Sequence, residues 1–509
     1  MSTHRNIVTN ACASWIAQAI QMALVFVVSP ILVHGLGDQR YGVWAFVDSV
    51  LAYLTLFDLG IGSSVVRYVA RFESMKDTER LNRTFSTGLA LFIVLGVLVT
   101  AITGILIGPL WSILRVPEQL ALETRWLLAI LGLNLAIGFP LGVFGDVLIG
   151  LQRFVPKVAI RTLIAFPQVL VSIFLVKHGY GVISLALNIT IWSLISQAIQ
   201  VVYCFSCLPS LRLSFRLIDR ETLLAIRGYS VSAFLAMIAG RITFQTDAIV
   251  IGLFLAPEQI TYFVIGAKLV EYSKDLFNSV TTVLTPVVSH SDAVGDRTVI
   301  RRILIDGSRW MLWISSPLIV GHILLGKSFL GLWISADYMV RSSLVYGLLA
   351  IGLILSIPQS VASRVLYGTG KLSFFVIVMI VEAFCNLALS LALVRSYGIV
   401  GVACGTLIPN IIANVIVILF VLREEKIRVW VYLRCAILGP LTAALLLAIF
   451  WSICLYQGLS HTWLSFLSVG LLGTTLYGGV ALLSEVGSNR LMWRLRAMFT
   501  GSVFLVDPD

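Results

Sequence analysis

The chain has 509 residues, of which 59% are hydrophobic and only 12% are charged, and its mean hydropathy is +0.97. This composition excludes a water-soluble domain and predicts a polytopic membrane protein. The net charge of +11 then indicates basic residues at the cytoplasmic ends of membrane helices, so no nucleic-acid partner is expected.

Apolar segments of about 20 residues, the length that crosses the hydrocarbon layer as a helix, recur along the whole chain. They are apolar on every face, as in LFIVLGVLVTAITGILIGPL (91–110), which argues against the alternating strands of a β-barrel. No cleavage site follows the first segment, which is therefore expected to remain as the first span. We predict fourteen spans, near residues 10–34, 41–70, 85–110, 126–150, 156–177, 181–206, 223–255, 260–289, 305–330, 341–366, 372–395, 399–422, 431–455 and 462–484.

The basic residues predict the orientation, because Lys and Arg beside membrane helices stay on the cytoplasmic side. One set of alternate loops and adjoining helix ends carries 26 of the 36 Lys and Arg residues, and the other set carries 7. Both termini are therefore predicted to be cytoplasmic, which requires an even number of crossings.

Two short motifs have the wrong context for the chemistry they suggest. GHILLGKS (321–328) matches the phosphate-loop pattern, but that loop needs a strand before it and here it ends a membrane span. CFSC (204–207) is a single CxxC without a second pair, and most of the seven cysteines lie in spans. We therefore expect no nucleotide, metal, cofactor or disulfide framework, and no catalytic residues.

An internal repeat relates the two halves of the chain. VLIGLQRFVPKVAIRTLIAFPQVLVSIFLVKHGYGVISLA from Val147 aligns with VLYGTGKLSFFVIVMIVEAFCNLALSLALVRSYGIVGVA from Val365, at an offset of 217 to 218. Hydrophobic patterning alone could mimic part of this match, but the shared small and basic residues favour duplication. The predicted domains are two six-helix lobes (1–205 and 223–422), a cytoplasmic linker (206–222), two additional helices (431–484) and a cytoplasmic tail (485–509).

The helix count per lobe decides the kind of repeat. An even number of helices in each lobe predicts a parallel repeat about an axis along the membrane normal, which is typical of alternating-access transporters with a central cavity. The sequence thus predicts an all-α membrane protein of about 14 helices, with two six-helix lobes and two extra C-terminal helices.

One stretch inside an apolar run, GAKLVEYSKDLFNS (266–279), carries Lys268, Glu271, Lys274 and Asp275. At 100° per residue the four side chains fall within an arc of about 120°. A charge that faces lipid costs at least roughly 2.5 kcal/mol at the centre of a span. The stretch therefore predicts a cavity-lining helix, and the four residues are candidates for substrate binding. The alternative is a structural network at i, i+3 spacing that neutralises itself.

Other charged residues in spans extend the candidate site. Asp48 and Asp58 share one side of the second span with Thr55 and Gly62, although Asp58 could instead be a turn residue before Gly60. In the seventh span, Arg241 and Asp247 lie 120° apart around the helix and cannot pair with each other. Each therefore needs another partner or a ligand.

Residues 34–72, HGLGDQRYGVWAFVDSVLAYLTLFDLGIGSSVVRYVARF, together with LVRSYGIVGVACG and FLGLWI, carry a family resemblance. They resemble the polysaccharide (Wzx-type, O-antigen and exopolysaccharide) flippases of the superfamily that also contains multidrug (MATE) exporters. The resemblance implies a MATE-like fold in the bacterial inner membrane. It also implies movement of an undecaprenyl-pyrophosphate-linked oligosaccharide to the outer leaflet, with membrane lipids and other polysaccharide assembly proteins as partners. Arg241 and Lys268 could then supply the basic lumen that such flippases carry.

Two other classes of function are alternatives to the flippase. A multidrug exporter would hold an organic cation against carboxylates such as Asp48 and Asp58 and exchange it for H+ or Na+. A membrane glycosyltransferase or polymerase usually has a large outer loop with acid and base residues, whereas the outer loops here have only about 4 to 15 residues. The flippase is the favoured function, and coupling to H+ or Na+ is compatible with it.

Overall fold

The structure is a computed structural model that describes residues 2–108, 116–226, 245–460 and 462–486, with only the backbone described for 2–12, 14 and 215. Within these ranges the chain forms helices joined by short turns, and no strand is present. The predicted all-α class is therefore confirmed. The chain divides into two compact units, Met1–Thr261 and Tyr262–Asp509, called unit 1 and unit 2 below.

Unit 1 begins with a 53-residue helix and continues with helices of 14 to 33 residues and two short ones. Its helices are α1 (Ser2–Leu54), α2 (Ile61–Ser74), α3 (Thr78–Ile107), α4 (Glu118–Gly150), α5 (Phe154–Lys177), α6 (Val182–Cys207), α7 (220–226) and α8 (Gln245–Phe254).

The boundary between the units falls inside the next helix, after Thr261. The following helices are α9 (Pro257–Thr281), α10 (Leu284–Val294), α11 (Arg297–Leu324), α12 (Gly326–Trp333), α13 (Ala336–Arg341), α14 (Ser343–Gly368), α15 (Leu372–Glu424), α16 (Val429–Tyr432), α17 (Leu438–Tyr456) and α18 (Trp463–Val486).

Among the described residues, nine helices are long and apolar enough to cross a membrane, or ten if the bent pair α11 and α12 counts as one span. The two longest, α1 and α15, have 53 residues each and would measure about 80 Å, more than twice the hydrocarbon thickness. Each is interrupted by a glycine with non-helical backbone, Gly37 (φ 76°) and Gly398 (φ 57°). The lengths and the breaks agree with the prediction of two spans in each long helix. Fourteen crossings stays a prediction, because part of the segment 223–255 lies outside the described residues.

The sequence repeat reappears in the local backbone of the two units. The turn after α4 and the turn after α14 both contain a residue with positive φ, Gln152 and Gly370, 218 positions apart. The residues that follow have nearly identical dihedral angles: φ −91°, ψ 50° at Arg153 and φ −85°, ψ 47° at Lys371. The duplication predicted from these sequences therefore includes the turn geometry.

A second pair of matching turns precedes α3 and α11. Asp77 and Asp296 are the N-cap residues of these helices, and each carboxylate accepts a backbone N–H of the first turn. The preceding residues, Lys76 and Gly295, both have positive φ. The carboxylate satisfies a donor that the helix itself leaves unpaired, which explains why an acidic residue occupies both sites.

The last two long helices of unit 2, α17 and α18, pack against α11 of the same unit. Trp313 of α11 lies in one apolar cluster with Leu447 and Trp451 of α17 and Tyr477 of α18. The opposite faces of these helices expose large apolar side chains, such as Leu464 and Leu483. Apolar surface of this extent indicates contact with lipid.

The segment that follows α6, residues 208–226, is called the linker below. It lies against α2 and α3 of unit 1 and is held there by side chains that bond its backbone. Ser86 Oγ donates to Arg212 O at 3.3 Å, and Tyr68 Oη donates to Ala225 O at 3.2 Å. The linker is therefore docked on unit 1 along its length.

Candidate functional site

The charged face predicted from the sequence lies on α9, which is one continuous helix from Pro257 to Thr281. The predicted angular relationship of its charges therefore holds. Asp275 is exposed, and Lys268, Glu271 and Lys274 are half-buried. On other sides of the helix, Leu269 and Phe277 are buried in the protein.

A buried histidine fixes the rotation of α9. Ser273 lies on the side of α9 opposite the charges, and its hydroxyl bonds Nε2 of His322 on α11 at 2.7 Å. The other ring nitrogen of His322 bonds the Tyr346 hydroxyl on α14. These contacts tie three helices together and hold the charged face away from the packed side. Sequence reasoning missed them, because the three residues are far apart in the chain.

The charges of α9 are not independent of the rest of unit 2. Lys274 lies within electrostatic range of Glu382 on α15, as well as of Asp275 and Glu271 on its own helix. Three carboxylates thus surround one ammonium group. This environment favours a structural role for Lys274, which was the alternative to substrate binding in the sequence analysis. A role of Lys268 in substrate binding stays a prediction.

Glu382 belongs to a buried polar network that joins α14 and the two parts of α15. Asn410 donates to Glu382 Oε1 at 2.8 Å, and Asn414 donates to Asn410 Oδ1 at 2.9 Å. Ser356 Oγ of α14 completes the network, accepting from Asn414 at 3.1 Å. Buried amides in a membrane span are costly unless satisfied, and here each finds a partner.

Unit 1 holds a second group of ionisable side chains, which the sequence indicated only in part. Lys157 Nζ of α5 lies 3.7 Å from Asp146 Oδ1 of α4. A Cβ atom on Gly62 would lie 2.8 Å from Asp146 Oδ2 and 3.4 Å from Asp58 Oδ2. Two carboxylates therefore converge on Gly62, and Lys157 pairs with one of them, Asp146. We call these three residues the unit 1 charge cluster.

The polar stripe predicted for the second span is interrupted, so one expectation needs correction. The helix ends at Leu54, and Leu59 and Gly60 both have positive φ before α2 begins. Asp58 accepts a hydrogen bond from Gly62 N at 3.0 Å, as a turn residue does. Asp48 and Gly62 therefore do not lie on one continuous helix, and the predicted polar stripe does not extend from one to the other.

The other predicted site residues lie in different surroundings. Asp48 is exposed on α1, whereas Asp247 on α8 is buried, with 6% of its surface accessible. Arg241 lies outside the described residues. Whether these residues and the α9 charges face one cavity stays a prediction.

Within the described ranges, no group of three or more His, Cys, Asp or Glu side chains is placed to hold a metal ion. The residues of the phosphate-loop pattern GHILLGKS lie on α11 and α12, which meet at a bend of 71°. A helix thus precedes the pattern where a nucleotide-binding loop needs a strand.

Comparison with known proteins identifies the class of the fold. The chain is similar to the lipid II flippase MurJ in an inward closed conformation, with a TM-score of 0.72 and 16% identity, over 95% of this chain and 100% of that one. It is also similar to an inward-facing multidrug resistance MATE transporter of the MOP superfamily, with a TM-score of 0.67 and 16% identity, over 81% and 98%. A MOP superfamily transporter from Pyrococcus furiosus gives a TM-score of 0.60 at 17% identity, over 83% and 95%. No curated protein sequence matches the chain.

The fold is therefore that of a multi-pass membrane transport protein of the MATE and MurJ type. A family model described as polysaccharide biosynthesis protein matches residues 7–291, more than half of the chain, and the chain belongs to that family. The family and the shared folds are those of transport proteins rather than enzymes. The family predicted from residues 34–72 is thus confirmed.

Proposed function

We propose that the protein is a flippase that moves undecaprenyl-pyrophosphate-linked oligosaccharide units from the inner to the outer leaflet of the bacterial inner membrane. It serves the synthesis of a surface polysaccharide such as O-antigen, capsule or exopolysaccharide, and it works by alternating access. The observation that carries this proposal is the helix α9, which holds ionisable side chains on one side and is anchored through Ser273 on the other.

The chemistry of the substrate fits two cations of the predicted site, Lys268 and Arg241. A pyrophosphate that leaves water needs fixed positive charge and hydrogen-bond donors, which Lys and Arg supply. Lys268 and Arg241 are assigned this role. Glu271 and Asp275 balance the cations when the site is empty and are candidates for taking up H+ during turnover, with Na+ as the other possible coupling ion.

The isoprenoid chain of the substrate needs an apolar surface, and unit 2 provides one. A groove with a volume of about 220 Å³ runs between α11, α14 and α17, lined by residues such as Ile319, Ile354, Pro358 and Leu441. Burial of apolar chain in such a groove is favourable at each methylene position. The groove and the charged helix together suit an amphiphile with an anionic head.

A first experiment tests the function directly. Removal of the protein from its host should leave lipid-linked repeat units in the inner leaflet and stop polymer export. Lys268→Ala and Arg241→Ala should have the same effect at normal protein levels, Lys268→Arg should retain partial export, and the exposed Lys327→Ala should export normally. Normal export by both site variants would refute the assigned site.

Export of an organic cation is the second candidate function, because two carboxylates converge at Gly62 in unit 1. An exporter of this kind would raise resistance to cationic drugs and leave lipid-linked sugars unaffected. Drug susceptibility of the deletion strain, measured beside its lipid-linked oligosaccharides, separates the two functions.

A further inference from the structure

Arg364 is a cation in a membrane-spanning helix, and no side chain in the described part of the chain forms an ion pair with it. It lies on α14, four residues before the helix ends at Gly368. Its Nε is buried and has no hydrogen-bond partner, and its guanidinium carbon lies 5.4 Å from the ring centre of Tyr367. No ion pair of Arg364 occurs among the described residues. A charge left this way inside a membrane protein points to a functional role.

The repeat supplies an internal comparison for this position. Asp146 stands 218 positions earlier and also lies four residues before the end of its helix, α4. Asp146 is neutralised by Lys157, whose equivalent in unit 2 is Phe375. Unit 2 thus keeps the backbone of the repeat, reverses the sign of the charge at this position and has a phenylalanine in place of the counter-ion.

The acidic residues near this end of unit 2 have cations of their own. Glu425 and Asp292 both pair with Arg297, at 3.2 and 2.9 Å. Glu424 pairs with Lys371. None of these carboxylates therefore neutralises Arg364.

The backbone that carries Arg364 is held firmly. Val361, Ala362, Val365 and Leu366 are at most 2% exposed, and the last three pack in one apolar cluster with residues of α10, α11 and α15. Arg364 itself is half-buried. A planar guanidinium on a rigid helix presents donors in the arrangement that phosphate oxygens accept.

We propose that Arg364 binds a phosphate oxyanion, namely the diphosphate of the lipid-linked substrate, at the end of α14 where the adjacent basic loop is predicted to be cytoplasmic. This inference rests on the proposed flippase function and adds a contact distinct from Lys268 and Arg241. It would act where substrate enters from the inner leaflet. Phospholipid headgroups offer the same chemistry, and the experiment distinguishes them from the substrate.

Binding of undecaprenyl diphosphate and of uncharged undecaprenol is measured by native mass spectrometry of the full chain in neutral phosphatidylcholine nanodiscs. Arg364→Gln should weaken diphosphate binding roughly tenfold or more, as expected for a hydrogen bond to a charged group, and leave undecaprenol binding unchanged. Arg364→Lys should be intermediate. The control Lys371→Gln removes a nearby cation that is already paired and should bind as the wild type does.

A second measurement uses only the wild-type protein, so it is independent of variant folding. Undecaprenyl diphosphate should protect Arg364 from modification by phenylglyoxal, read by peptide mass spectrometry, and undecaprenol should not. Equal modification with both lipids would overturn the inference.

The outcomes separate the inference from the proposed function. If the wild type binds no diphosphate lipid, the flippase proposal fails together with this one. If the wild type and Arg364→Gln bind it equally, only the role of Arg364 fails. If an equal amount of phosphatidylglycerol protects Arg364 as well as undecaprenyl diphosphate does, Arg364 is a headgroup contact and the inference is wrong.

Discussion

Arg212 of the linker donates its backbone N–H to Oδ1 of Asn82 at 2.9 Å, and the amide of Asn82 donates in turn to Ser210 O at 3.1 Å. One side chain at the start of α3 thus bonds the linker on both sides of Leu211, which is buried. The first part of the linker is therefore fixed to α3 of unit 1.

Asn82→Ala should release this part of the linker. The variant loses two hydrogen bonds, each worth about 0.5 to 1.5 kcal/mol, so local opening at residues 210–214 should become more frequent. Limited trypsin digestion should then cut faster after Arg212 and Arg216. Ser206→Ala, which removes a hydroxyl bonded only to its own helix, is the matched control. Equal cleavage rates in both variants would show that Asn82 does not hold the linker.

Asp219 should keep the linker protected from hydrogen exchange down to moderately acidic pH. Partial burial raises the pKa of Asp219, but hydrogen bonds from Thr222 and the charge of Arg83 outweigh it and hold the pKa below its ordinary value. A lowered pKa gives stability that is present above the unfolded value, near 3.9, and is lost as the pH falls through the folded value. Hydrogen exchange in the linker should therefore show the same protection at pH 7 and 5.5. Loss of protection already at pH 5.5 would argue against this role of Asp219.

The buried ion pair between Arg309 of α11 and Glu485 of α18 should be the strongest single link to the last helix. The two groups are 3.1 Å apart and each is 7% exposed, and Trp313 Nε1 also donates to Glu485. Glu485→Ala leaves a buried arginine without its main partner and should cost about 3 to 5 kcal/mol.

The control variants distinguish charge burial from packing. Arg309→Met combined with Glu485→Leu should restore most of the stability, since apolar replacement of a buried pair is often neutral. Glu79→Ala, which breaks an exposed pair with Arg83, should cost at most about 1 kcal/mol. Thermal unfolding in detergent measures the stability of the wild type, of Glu485→Ala, of the double variant and of Glu79→Ala. A double variant as unstable as Glu485→Ala would contradict this account.

Features that depend on one continuous stretch of sequence could be predicted without the structure. The predicted spans 10–34 and 41–70 leave a gap that contains Gly37, and 372–395 and 399–422 leave one that contains Gly398, where the structure breaks two long helices. The arc of charges on α9 was found because a continuous helix fixes the angle between successive residues. The repeat could also be predicted from the sequence, because its two copies align directly at an offset of 217 to 218 residues.

Contacts between distant segments could not be predicted from the sequence. Lys157 lies at the start of the predicted span 156–177, but the sequence does not indicate that it faces Asp146 of α4. Asn410 and Glu382 are 28 positions apart and meet because α15 breaks between them. The periodicity of apolar and polar residues shows which face of a helix is buried, but it does not show which other helix packs against that face. The sequence leaves the turn before Gly60 as one of two alternatives for Asp58, because periodicity alone does not show where a helix is interrupted.

The topology makes a prediction that labelling can check. Single cysteines at Asp337 and Gln457 should react with a membrane-impermeant maleimide from outside in a variant that lacks the native cysteines. Cysteines at Glu79 and Glu424 should react only after the membrane is opened. All four positions are exposed in the structure, so failure to react cannot come from burial. The reverse pattern would place both termini outside and overturn the orientation.

The unit 1 charge cluster makes the last prediction. Lys157→Met removes the cation that pairs with Asp146 and should lower stability by about 1 to 3 kcal/mol, less than for a fully buried pair because both side chains are partly exposed. Adding Asp146→Asn removes the uncompensated charge and should recover most of that loss. In unit 2, Lys371→Met breaks an exposed pair and should change stability by less than about 1 kcal/mol. A double-mutant cycle of Lys157 and Asp146 gives the coupling energy directly. A coupling near zero would mean that the carboxylates at Gly62 do not depend on Lys157, and the cluster would then be two separate features of unit 1.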